Sequence, residues 1–88
     1  MNYMINNDDF NILIETQQKK MKEDVAQQYI SARKALKLTQ EDIANKSGIK
    51  RPNITRFERG DYNPTIDMLV KVAASMGKKL EINLVDKE

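Results

Sequence analysis

The chain contains no cysteine and no histidine. Without cysteine there is neither a disulfide framework nor thiol chemistry. Without both, zinc sites built from Cys and His are excluded, and so are Cys–His and Ser–His catalytic pairs. Glycine is scarce, three in 88 residues. Each stands alone at an expected helix or turn end, so no Gly-rich loop can cradle a phosphate. No apolar run approaches the roughly 20 residues needed to span a bilayer. The N-terminus lacks the basic-then-apolar order of a signal peptide, and a cytoplasmic location is the default expectation. Internal repeats and low-complexity segments are absent. An enzyme is not expected: the pairs Asp8–Asp9 and Glu23–Asp24 are sequence neighbours, which do not face each other on a helix. No oxyanion or metal constellation accompanies them. No cofactor and no metal are expected.

What is present is charge, unevenly placed. Eighty-eight residues make one domain. Hydrophobic content is 40% and charged content 32%, so the core is small and dimerisation would add to it. The net charge of +2 conceals two opposite ends. Residues 1–18 hold Asp8, Asp9 and Glu15 with no Lys or Arg, a charge of −3. Residues 46–60 hold Lys46, Lys50, Arg51, Arg56 and Arg59 against Glu58, a charge of +4. The asymmetry suggests two surfaces with different partners, and for DNA a local patch matters more than the total.

The basic patch falls in the stretch Thr39–Gly60, which reads as two short helices joined by a tight turn. Thr39 can cap the first, with Asp42 reaching back toward the cap. Ile43 and Ala44 would face the core. Gly48 can end that helix in the left-handed conformation, and Ile49 returns to the core. The second helix starts near Lys50–Pro52, where proline is tolerated. Ile54 and Phe57 share one face, and Gly60 ends the helix. Its polar face carries Lys50, Arg51, Asn53, Thr55, Arg56 and Arg59, the residue types that reach phosphates and base edges in a major groove. This is a helix-turn-helix pattern.

The flanks are read by periodicity. Residues 1–18 fit an N-terminal arm or short helix from Asp8 or Asp9, with Phe10, Leu13 and Ile14 on one face. The arm either packs back on its own domain, or frays, or docks on another protein. Residues 19–37 form a helix on Val25, Tyr29, Ala32 and Leu36. Lys19, Lys20 and Lys22 sit where a helix start disfavours cations, a hint that this helix begins earlier. Asp61–Pro64 is a turn. Thr65 caps a helix to Met76 with Ile66, Leu69, Val70, Ala73 and Met76 as its core stripe, and Gly77 stops it. Residues 78–85 change period: Leu80, Ile82 and Leu84 alternate with polar residues, the pattern of a half-buried strand. A lone strand leaves its backbone groups unpaired. It would pair with the same strand of a second copy, with residues 1–5, or with a partner's sheet edge. The organisation is an arm (1–18), a DNA-binding domain (19–76) and a dimerisation strand with tail (77–88).

Thr39-Gln40-Glu41, Ala44, Ser47-Gly48-Ile49, Ile54, Phe57-Glu58-Arg59-Gly60 and Pro64 together resemble the XRE/Cro-type helix-turn-helix domain, over roughly Ile30 to Met76. The resemblance implies an all-α, five-helix, lambda-repressor-like bundle, here with one short C-terminal β-strand added. It implies that Arg33 pairs with Glu58 as a structural ion pair, and that Gln40 clamps a phosphate at the helix end. Pro52 departs from the polar residue often found at its position and could make only an apolar contact.

Arg51, Asn53, Thr55 and Arg56 are the base-edge candidates. Lys46, Lys50, Arg59 and Asn63 would add phosphate contacts. Leu80, Ile82 and Leu84 are the dimerisation candidates. The function expected is a repressor that binds a palindromic operator in double-stranded DNA as a homodimer, in the bacterial cytoplasm at the nucleoid. The order of arm, domain and Gly77-Lys78-Lys79-Leu80 end is similar to HigA-type antitoxins. That likeness implies a HigB/RelE-like ribonuclease toxin as partner, which the acidic arm would attract if the toxin is basic. The alternative is a stand-alone XRE-family regulator.

Overall fold

Nothing between Asn7 and Ala35 interrupts a helix: the segment holds no glycine and no proline. In the computed structural model of the chain, which describes residues 7–87, that segment is a single helix, α1, Asn7–Ala35. Three short helices follow: α2, Gln40–Ser47; α3, Arg51–Glu58; and α4, Ile66–Ser75. A 29-residue helix is about 44 Å long at 1.5 Å per residue, and it accounts for most of the 53 Å long axis of the molecule.

Two expectations are corrected here. Five helices become four, because the arm helix and the helix expected over 19–37 are one element, with Lys19, Lys20 and Lys22 in its middle. Asp8 and Asp9, read as caps, lie inside it. The C-terminal β-strand is not formed: residues 78–87 have no secondary structure, and no strand occurs among the described residues. The physical reason is that alternation describes one segment whereas a strand requires a neighbour, and no other described segment is extended alongside it. The proposed pairing with residues 1–5 lies outside the described residues.

The first part of α1 projects from the bundle, and residues 9–21 are all exposed. Its later part joins the core at Val25, Ala26 and Tyr29. There Tyr29 meets Ile43, Ala44, Ile54, Phe57, Met68, Leu69, Val72, Ala73 and Met76. Its ring stands edge-on to Phe57, centroids 5.2 Å apart at 86°. Its hydroxyl donates to the Leu69 carbonyl at 2.9 Å, and burial pushes the phenol above its ordinary pKa, so the proton stays on. In α4 the buried face is Met68, Leu69, Val72 and Ala73. Ile66 and Val70, expected in the stripe, are exposed.

The helix ends follow local chemistry. Lys37 takes a left-handed φ of 57°, which lets the Leu38 N–H reach back to the Arg33 carbonyl at 3.1 Å and close α1. Thr39 and Asp42 form a reciprocal capping box on α2. Gly48 ends α2 at φ 77°. Gly60, at φ 86°, lies against α1, where a Cβ would stand 3.4 Å from Glu23 Cα.

Candidate nucleic-acid interface

α3 is pinned by its underside. Ile54 is 1% exposed and Phe57 3%, three residues apart on one face. At about 100° per residue, Pro52, Arg56 and Arg59 fall opposite that pair, and all three are exposed. Arg51 and Lys50 are exposed at the helix start, while Asn53 and Thr55 flank the outer face half-buried. Lys46 is exposed in the last turn of α2. Asn63 is exposed in the loop after Gly60. The basic candidates Lys46, Lys50, Arg51, Arg56 and Arg59 are thus all exposed to solvent.

The start of α3 is left electrostatically open. Its first turn holds no acidic residue and its cap, Lys50, makes no side-chain hydrogen bond. α2 carries Glu41 and Asp42 and α4 carries Asp67 in the same place. The positive end of the α3 dipole is therefore reinforced by Lys50 and Arg51. Arg51 leans toward Glu41, Nη1 to Oε2 3.6 Å, with both side chains more than half exposed. A pair of that kind contributes about 0–1 kcal/mol, so Arg51 is released at little cost. The Arg56 guanidinium stands 5.9 Å from the centre of the Tyr62 ring, within cation–π range.

Behind this face is a polar network that fixes how α3 is tilted. Arg33 grips Glu58 with two parallel bonds, Nε to Oε2 at 2.8 Å and Nη2 to Oε1 at 2.9 Å. Its Nη1 donates to the Leu38 carbonyl at 2.9 Å. Gln40 Nε2 donates to Glu58 Oε1 at 3.0 Å, and Thr55 Oγ1 donates to Gln40 Oε1 at 2.7 Å. The Arg33 and Glu58 side chains are only 13% and 11% exposed. One carboxylate thus ties the end of α1, the turn after it, the start of α2 and the end of α3. Gln40 and Thr55, considered for phosphate and base contact, are bonded to each other here, with the Thr55 hydroxyl proton spent on Gln40.

Leu80 packs half-buried on the core, while Ile82 and Leu84 are 65% and 99% exposed. Sequence reasoning missed Tyr62. The signal was an aromatic in the turn six residues after Arg56, visible only once Gly60 is known to fold that turn back toward α3. Among the described residues no cluster of Asp and Glu could hold a metal ion, and no helix is long and apolar enough to cross a membrane.

A helix-turn-helix family profile matches residues 30–83. An uncharacterized HTH-type transcriptional regulator from Haemophilus influenzae is 40% identical over 53 residues, 60% of this chain and 54% of the relative. One from Methanocaldococcus jannaschii is 43% identical over 44 residues, 50% of this chain and 67% of the relative. An immunity repressor of Bacillus phage phi105 is 38% identical over 53 residues, 60% of this chain and 37% of the relative. The chain therefore spans about half the length of the Haemophilus relative. Among solved structures, a chain of a toxin–antitoxin module from Streptococcus pneumoniae is similar with a TM-score of 0.64 and 28% identity, over 94% of this chain and 97% of that one.

Proposed function

Since the chain belongs to the helix-turn-helix family, of the XRE type, we propose that it is a sequence-specific DNA-binding transcriptional regulator that acts as the antitoxin of a HigBA-like toxin–antitoxin pair. The observation that carries DNA binding is the outward face of α3, basic and uncapped, held by Ile54 and Phe57 beneath. The antitoxin role is supported by the Streptococcus pneumoniae likeness, which extends over nearly the whole of both chains, projecting helix included. The phage immunity repressor relative supports repression but matches a smaller share.

In this reading α3 enters the major groove. Arg51 and Arg56 grip guanine O6 and N7, and Asn53 grips adenine. Pro52 meets a thymine methyl. Lys46, Lys50, Arg59 and Asn63 hold phosphates, and Gln40 supports the helix end from within the Glu58 network. Two copies on a palindrome, half-sites roughly 34 Å apart, occlude the operon's own promoter. A HigB/RelE-like ribonuclease toxin is the second partner.

The test is co-purification with the product of the adjacent reading frame, followed by a footprint on the shared promoter. Arg51→Ala is expected to relax the preference for the operator over random DNA by roughly tenfold, the worth of one bidentate base contact. Lys46→Ala is expected to weaken all DNA about equally. If both variants bind the operator as the unmodified chain does, the docking is wrong. A footprint without a co-purifying toxin would favour a stand-alone regulator.

A further inference from the structure

The exposed part of α1 carries an apolar stripe that the bundle does not cover. Phe10, Ile14 and Met21 are 55%, 37% and 52% exposed, and Val25 continues the line into the core. The spacings are four, seven and four residues, so the stripe reads the same from either end. A two-fold axis between residues 17 and 18 exchanges Phe10 with Val25 and Ile14 with Met21. Charge is arranged close to the same axis: Glu15 and Lys22 are centred one residue further along, so the two meet with an offset of about 3 Å at 1.5 Å per residue, within reach of two long side chains. Glu15 and Lys22 lie on one flank of the stripe, by about 100° per residue, and neither has an ion pair among the described residues. In an antiparallel pair of helices the same flanks meet, so Glu15 of each copy faces Lys22 of the other. Beside the stripe runs a groove of about 720 Å³, whose far wall is Leu80, Ile82 and Leu84 of the extended C-terminal segment. The arm of a second α1, laid antiparallel, fills it with Phe10 near Val25. Three to four turns of helix unsupported by packing are marginal in water, and this contact supports them.

We infer that two copies of this chain associate through α1, antiparallel, each placing its Phe10–Met21 arm in the groove between the other's α1 and C-terminal segment. The interface supplies the two-copy arrangement of the function proposed above but requires neither DNA nor toxin, so the chain alone tests it. The absence of cysteine gives a clean probe. Gln18→Cys lies at the two-fold axis and is expected to form an intermolecular disulfide on mild oxidation, whereas Thr16→Cys, on the opposite side of α1, is not. By light scattering and sedimentation, the unmodified chain is expected to be a dimer at tens of micromolar. Ile14→Glu, at a position exposed in one copy, is expected to raise the dimer Kd by at least about tenfold while circular dichroism keeps the helical signal. Glu15→Lys and Lys22→Glu are each expected to weaken the dimer, and the double variant to restore it. A monomer, a dimer indifferent to Ile14→Glu, or equal cross-linking at positions 16 and 18 would overturn the interface. A monomer that nonetheless captures a basic toxin would assign the arm to that partner instead. Operator binding by the Ile14→Glu chain, measured separately, tells failure of this interface from failure of the DNA reading.

Discussion

Glu58 is the residue on which the interface geometry turns. It accepts two bonds from Arg33 and one from Gln40, and truncating it would leave the Arg33 guanidinium buried with only the Leu38 carbonyl. Glu58→Ala is expected to cost about 3 kcal/mol in urea denaturation, the scale for stranding a largely buried charge. Arg33→Ala should cost a similar amount, and the double variant less than the sum of the two. Tyr62 works more gently. Its ring limits where the Arg56 guanidinium can point, and an exposed cation–π contact contributes about 0.5–1 kcal/mol. Tyr62→Ala is therefore expected to weaken operator binding by roughly two- to fivefold, with Tyr62→Phe close to neutral. Fluorescence titration of a labelled duplex would read both. Asp42 adds a pH dependence. The Thr39 backbone N–H, then the Thr39 hydroxyl, and Lys46 more weakly, hold its carboxyl below the ordinary aspartate range. A depressed folded-state pKa means that its stabilising effect is fully present above about pH 4 and is lost as pH falls through the lower folded value. Thermal unfolding between pH 5 and pH 2 should show a loss that is smaller in Asp42→Asn.

At the scale of elements, the two helices of the DNA-facing unit were legible because their ends are written in local chemistry. Thr39 with Asp42 starts α2, Gly48 ends it at a positive φ, and Pro52 marks the first turn of α3. The Ile54–Phe57 spacing gave the buried side without reference to any neighbour. α4 was legible in extent but not in rotation. Ile66 and Val70 fit a helical stripe as well as Met68 and Val72 do, and only packing against α2 chooses between them. The arm and the C-terminal segment were misjudged for one shared reason. A helix that continues leaves no break at the point of continuation; the one hint was Lys19, Lys20 and Lys22, cations ill placed at a helix start, and the single helix Asn7–Ala35 agrees with it. An alternating segment carries no record of whether a neighbour exists to pair with it. The Gln40–Thr55 bond lay out of reach as well, because two polar residues 15 apart meet only once the turn angle between α2 and α3 is fixed.

At the scale of the molecule, two regions of opposite character lie apart. One is the basic face of α2 and α3. The other is the apolar projection of α1, in which Asp8, Asp9 and Glu15 are balanced by Lys19, Lys20 and Lys22. The central claim is that the α3 face binds duplex DNA. Its most direct measurement is the affinity for a labelled upstream duplex at 50 mM and 200 mM salt, for the unmodified chain and for Arg51→Ala/Arg56→Ala. Lys46, Lys50 and Arg59 from each of two copies would neutralise about six phosphates, so affinity should fall by roughly a thousandfold between the two salt concentrations. The double variant should lose operator preference at both. Absence of binding at 50 mM salt, or an unchanged preference in the double variant, would contradict the account.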